Sequence, residues 1–181
     1  MKENNLGHFK IGDRVEIVGE IANQFLSKVG IITAAGEVFL GSKFTVRLAD
    51  GTEFDFRDSQ LHIPAIIFAD MIFDTHVSPV PSGLRGSTSR HHMRFISREF
   101  DIHLMLTESD KQKDLHGQFM ANDVVPESSL ITLLFNGEPY ATTSTDSCGE
   151  FDLRQIPFGS AVLEILVPSR RIVATFDLSP D

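Results

Sequence analysis

Hydrophobic and polar residues alternate along most of this chain with a period of two. Phe44, Val46 and Leu48 take one side of a run whose other side is Thr45 and Arg47, the pattern of a strand with one buried and one wetted face. Asp50-Gly51 follows, a pair suited to a two-residue hairpin turn, and Thr52-Glu53-Phe54-Asp55-Phe56 reads as the returning strand. Arg14–Val18, Lys28–Thr33, Phe44–Leu48 and Glu53–Phe56 are the strands expected within residues 9–62. From Phe100 onward the alternation is nearly continuous, through Phe100, Ile102, Leu104 and Leu106, then Leu163, Ile165 and Val167, then Ile172, Ala174, Phe176 and Leu178. Turns at Asn136-Gly137, Ser147-Cys148-Gly149 and Pro157-Phe158-Gly159 divide this part into roughly seven strands, the spacing of a β-sandwich. Leu130–Phe135 is apolar on both sides and is expected at the centre of a sheet.

Residues 63–99 differ in texture. Ile63-Pro64-Ala65-Ile66-Ile67-Phe68 is apolar, while Val77-Ser78-Pro79-Val80-Pro81-Ser82-Gly83 and Gly86-Ser87-Thr88-Ser89 are rich in residues that do not sustain regular pairing. The stretch reads as an extended connector with its apolar start packed on a domain and its centre mobile. Residues 90–99 fit a strand or a helix. The organisation expected is therefore all-β, with a small barrel over 1–62, a connector over 63–99 and a sandwich over 100–181.

Two resemblances sharpen this outline. Phe9-Lys10-Ile11-Gly12-Asp13-Arg14-Val15, Lys28-Val29-Gly30-Ile31-Ile32, Phe44 to Gly51 and Ser59-Gln60-Leu61 resemble the KOW and other SH3-like barrels. Thr145-Asp146-Ser147-Cys148-Gly149-Glu150-Phe151-Asp152-Leu153, then Ile156-Pro157-Phe158-Gly159 and Val162-Leu163-Glu164-Ile165, resemble the carboxypeptidase regulatory-like domain, an immunoglobulin-type or transthyretin-like sandwich. In this motif Asp146 is suited to hold the turn through backbone amides, Gly149 to take a positive φ, Phe151 to enter the core, and Pro157 with Gly159 to reverse the chain. Phe73-Asp74, Gly83 to Gly86, Arg94-Phe95, Phe100 to Leu104 and Gly117-Gln118 resemble a bacterial subgroup of such domains, whose members sit behind a zinc-binding anti-sigma-factor-like segment or beside sigma-factor genes. This chain departs from that arrangement, having a barrel and a single cysteine where the zinc segment would stand.

Composition narrows the function classes. Residues 1–62 hold 7 Lys/Arg and 9 Asp/Glu, residues 63–99 hold 4 and 3, and residues 100–181 hold 5 and 13, within a net charge of −9. Affinity for nucleic acid comes largely from counterion release by Lys and Arg, so the acidic C-terminal part disfavours it. The lone Cys148 forms no internal disulfide and no run reaches about 18 apolar residues, which leads us to expect a soluble, cytoplasmic protein.

Candidate chemistry is sparse. His91-His92 would point to opposite sides of a strand, and although they could join His103 or His116 in a transition-metal site, no Glu or Cys stands at ligand spacing. We expect no metal and no other cofactor. Cys148 lies between Asp146 and Glu150, neighbours that raise rather than lower a thiol pKa, and no Gly-x-Ser-x-Gly elbow or phosphate-binding glycine loop occurs. No catalysis is expected. Arg85, Arg90, Arg94 and Arg98 are the candidate partner-binding residues, suited to an acidic partner or to the protein's own acidic sandwich. Lys28, Lys43 and Arg47 are the candidates for nucleic-acid binding, interrupted by Glu16, Glu20, Glu37 and Glu53. A non-enzymatic, protein-binding adaptor or regulatory accessory protein is the reading these features favour. A nucleic-acid-associated factor acting through the barrel is the alternative, and an accessory protein of a sigma-factor-linked signalling or defence operon, with a protease-sensitive connector, is the third. Met105, Met120 and Leu134, on second faces of strands, are expected to seat the barrel on the sandwich or form an interface.

Overall fold

Strands form where the alternation is strongest. The protein is seen here as a computed structural model that describes residues 9–25, 28–38, 41–75, 90–97, 99–109, 112–121 and 128–178. In chain order the strands are β1 (Arg14–Ile17), β2 (Val29–Val38), β3 (Gly41–Leu48), β4 (Glu53–Arg57), β5 (Leu61–His62), β6 (Ala65–Phe68), β7 (Asp70–Asp74), β8 (Arg90–Ile96), β9 (Phe100–Ser109) and β10 (Gln112–Ala121). They continue with β11 (Leu130–Phe135), β12 (Glu138–Ser144), β13 (Glu150–Ile156), β14 (Ser160–Val167) and β15 (Arg170–Asp177). The fold is all-β: among the described residues only the 3₁₀ turns Glu20–Gln24 and Asp58–Gln60 are helical, and no helix is long and apolar enough to cross a membrane.

The first five strands form one antiparallel sheet in the order β4-β3-β2-β1-β5. One face carries its own core of Phe9, Val15, Ile17, Ile32, Phe44, Val46, Leu48, Phe56 and Leu61. A hairpin is present at Asp50-Gly51, closed by Leu48 and Thr52 over three residues in place of the two expected, with the Asp50 carboxylate accepting from both the backbone N–H (2.9 Å) and the hydroxyl (2.6 Å) of Thr52. These bonds favour the ionised form and hold the Asp50 carboxyl below its usual range.

The remaining ten strands make two sheets, β13-β10-β9-β8-β7 and β12-β11-β14-β15-β6. They face each other across a single core that includes Phe95, Ile102, Leu104, Phe119, Phe151, Leu133, Leu163, Ile165, Ile172 and Phe176. This is sandwich architecture, and Phe151 and Leu163 face inward as expected. β11 lies between β12 and β14 and is buried along nearly its whole length, as its doubly apolar sequence requires. The motif at 145–159 is also as read: Asp146 Oδ1 accepts from the N–H groups of Cys148 (2.8 Å) and Glu150 (2.9 Å), and Gly149 has φ 75°.

The stretch 63–99 is not simply a connector. β6 pairs in parallel with β15, β7 pairs with β8 and β8 with β9, so the sandwich begins at Ala65 and not at Phe100. β6 and β7 are edge strands of opposite sheets. Ile66, Phe68, Met71, Ile72 and Phe73 on them are exposed, so neither strand shows a buried face alternating with a wetted one. Residues 90–96 resolve as strand, and the Pro/Gly/Ser-rich centre, 76–89, lies outside the described residues.

The N-terminal sheet sits on the outer face of the β12-β11-β14-β15-β6 sheet. Val29 packs with Leu130 and Leu166 there, whereas Met105, one of the residues expected to seat the barrel or form an interface, lies on the opposite face of the sandwich. Arg14 lies 2.6 Å from the buried carboxylate of Glu164, with Arg171 3.7 Å away on its other oxygen. The Arg14–Glu164 contact is ionic without hydrogen-bond alignment, since neither Nε of Arg14 nor Oε2 of Glu164 has a partner at hydrogen-bonding angles. Glu16 accepts from the N–H of Ser169 at 2.9 Å, adding a second tie between the two units.

Candidate functional site

With one outer face of the sandwich covered by the N-terminal sheet, the described residues leave the other open. Strand alternation sends Met93, Phe95, Ile102, Leu104, Leu115, Phe151 and Leu153 into the core, and therefore sends His92, Arg94, His103, Met105, His116, Gln118, Glu150 and Asp152 outward. These side chains form the floor of a groove of about 1110 Å³. Thr143, Ser144 and Asp146 close one end and Ile72, Phe73 and Thr75 the other.

Register sorts the floor into two rows running across the strands. His92 faces Met105, Met105 faces His116, and His116 faces Asp152. In the second row Phe73 faces Arg94, Arg94 faces His103, His103 faces Gln118, and Gln118 faces Glu150. Gly117 lies beneath the second layer of packing: Phe151, its cross-strand partner, lays its ring where a Cβ would be, within 2.0 Å of Cζ.

Charge on the floor is largely compensated internally. Arg94 donates to Asp101 from Nε at 3.0 Å and from Nη2 to the second oxygen, a bidentate pair. Asp101 is therefore held below the usual carboxylate range, chiefly by Arg94 and further by His103, against a smaller upward push from burial. The pairing also raises the Arg94 pKa. Asp152 bonds Nδ1 of His116, which makes no other hydrogen bond among the described residues. Glu150 has no cationic partner among the described residues. His91, on the opposite side of β8 from His92 as the strand geometry requires, is buried and bonds Asp74 at 2.7 Å.

Among the described residues no group of three or more His, Cys, Asp and Glu side chains is placed to hold a metal ion. His92 and His116 sit two strands apart with Met105 between them. Among the described residues no Ser, Thr or Cys hydroxyl or thiol bonds His116. Cys148 is exposed in its turn, its carbonyl accepting from Gln118 at 3.4 Å.

Of the four arginines singled out from the sequence, Arg94 lies in the groove, tied to Asp101. Arg90 is on β8, while Arg85 and Arg98 fall outside the described residues. The barrel candidates do not make a basic face. Lys43 pairs with Asp55 at 2.7 Å and Arg47 with Glu53 at 2.8 Å across β3 and β4, and Lys28 precedes β2. Asp55 is lowered by Lys43 and by Thr45 accordingly. What sequence reasoning missed is the groove itself: His92, His103 and His116 had been weighed only as metal ligands and Met105 only as a packing or interface residue, and strand register is what brings them together with Gln118. Compared with known proteins, the chain matches no family model, no curated protein and no solved structure.

Proposed function

We propose that this protein is a non-enzymatic adaptor or regulatory accessory protein that holds a segment of a protein partner in the groove on the β13-β10-β9-β8-β7 sheet. The observation that carries the reading is the groove itself: about 1110 Å³ on the one sandwich face that the N-terminal sheet leaves open. Its floor is mostly polar, with Arg94 tied to Asp101 and His116 to Asp152, and its rim at Ile72 and Phe73 is apolar and 49% and 40% exposed, a combination suited to recognition and not to bond making. On the N-terminal side, the strand order and the 3₁₀ turn before β5 support the SH3-like reading. The tight packing of that unit on the sandwich favours a role as a fixed scaffold, and the ion pairs on Lys43 and Arg47 disfavour a nucleic-acid surface.

The test is capture from extract of the source cell with three baits: the native chain, Met105→Arg in the groove floor, and Thr175→Arg on the opposite sheet. A protein retained by the native chain and by Thr175→Arg but lost with Met105→Arg supports the reading. A partner retained equally by all three refutes it.

A further inference from the structure

We infer that the segment seated in this groove is an extended, basic one, with an apolar anchor at one end and Lys or Arg at the other; this rests on the groove being the partner site. The polarity of the second row sets the requirement. Phe73, with Ile72 beside it, lies at the β7 end, and Glu150 at the β13 end, with Asp152 in the neighbouring row and Asp146 in the turn before β13. Four steps between neighbouring strands separate β7 from β13, about 19 Å at the usual strand spacing, which an extended segment spans in about six residues. An occupant lying across the strands therefore meets an apolar rim first and carboxylates about six residues later.

The sign of the charge at the far end follows from what the floor already neutralises. Arg94, the one Lys or Arg among the described residues that line the groove, is committed to Asp101. Among the described residues Glu150 has no cationic partner and Asp152 bonds His116, while Asp146 spends its Oδ1 on backbone amides. Counting histidines as neutral, the described lining residues set Arg94 against Asp146, Glu150 and Asp152, a net −2. A second copy of this chain would bring its own net charge of −9 to that face, so self-association there is opposed by repulsion. Charge complementarity selects a basic protein segment.

The probes are three fluorescein-labelled heptapeptides read by anisotropy against the full chain: Leu-Phe-Ser-Thr-Ser-Lys-Lys, a twin ending Glu-Glu, and a twin beginning Ser-Ser. The basic, apolar-anchored peptide is expected to bind at least tenfold more tightly than either twin and to weaken as salt is raised from 0.05 to 0.5 M. Glu150→Lys with Asp152→Lys should reverse the preference between the Lys-Lys and Glu-Glu peptides. Glu150→Gln, which removes only an exposed and unpaired carboxylate, should weaken the Lys-Lys peptide about threefold even if the double variant folds poorly, and Phe73→Ser should abolish the advantage of the Leu-Phe start. Equal binding of the Lys-Lys and Glu-Glu peptides, or affinity indifferent to Glu150→Gln and to salt, overturns the inference while leaving the groove as a partner site. Absence of binding by all three peptides also overturns it, and the capture experiment with Met105→Arg then decides the broader reading independently.

Discussion

Gly117 offers the sharpest test of how the open sheet is held. It sits in β10 opposite Phe151, whose ring atoms lie 2.0 to 2.5 Å from the position a Cβ would take. Phe151 is 4% exposed and packed within the shared core, so the ring has nowhere to retreat without displacing its neighbours. Replacing Gly117 with Ala therefore overpacks a filled site, an effect of about 1–3 kcal/mol. The higher strand propensity of Ala returns only a fraction of that. For a chain of this length, about 2 kcal/mol corresponds to a fall in Tm of about 4–8 °C. Thermal unfolding followed by circular dichroism, in native, Gly117→Ala, Phe151→Leu and doubly substituted chains, closes a double-mutant cycle. In the Phe151→Leu background the smaller side chain makes room, so Gly117→Ala should lose less than about 0.5 kcal/mol, giving a coupling of about 1.5 kcal/mol. An unchanged Tm for Gly117→Ala, or an equal loss in both backgrounds, would show that the ring is not what requires glycine.

Three further expectations follow from the packing and the charges. Glu164→Ala leaves Arg14 and Arg171 without their shared carboxylate at the seat of the N-terminal sheet and should lower stability by about 3 kcal/mol in urea titration; the same change combined with Arg14→Met should recover part of it, and no recovery would locate the loss elsewhere. Leu130→Asp, aimed at the Val29 and Leu166 contact, should raise amide exchange in β1 and β2 while sparing β9 and β10; uniform acceleration across the sandwich would contradict the separate cores. The depressed Asp101 pKa contributes stability that is present above the unfolded value of about 3.9 and is lost as pH falls through the folded value. Acid titration of Tm from pH 5 to 2 should accordingly be shallower in Asp101→Asn than in the native chain, and identical slopes would remove that ion pair from the acid response.

Legibility in the sequence tracked how local the determining interactions are. The hairpin from Phe44 to Phe56 and the Asp146–Phe151 turn were readable because pattern, turn residues and side-chain caps within a few positions all agree. The strands β6 and β7 were not. β6 pairs in parallel with β15, about a hundred residues onward, and no short-range pattern encodes such a partner. The apolar runs Ile66–Phe68 and Met71–Phe73 hid their strand character because their hydrophobic residues follow one another with no polar residue between them, which leaves no period of two to read. The groove was invisible for a related reason. Its histidines come from three strands, and the side chains that share a row are set by register, which a slip of one residue would turn inside out. Arg94 was readable as a candidate, but its commitment to Asp101 was not, because that pair spans neighbouring strands.

Only Ile63 and Pro64 separate the last strand of the N-terminal sheet from β6, and β6 lies parallel to β15, with Ala65 N–H donating to the Ser169 carbonyl and Ala69 N–H to that of Val173. Tension applied between the N-terminal sheet and the far end of β15 would pull these two strands in opposite directions along their length. Their cross-links would then bear the load together, whereas a hairpin pulled from its open end yields one bond at a time. The molecule thus resists stretching along this line as a clasp does, by sliding friction of a whole ladder, and a partner tethered to either end would feel a stiff connection.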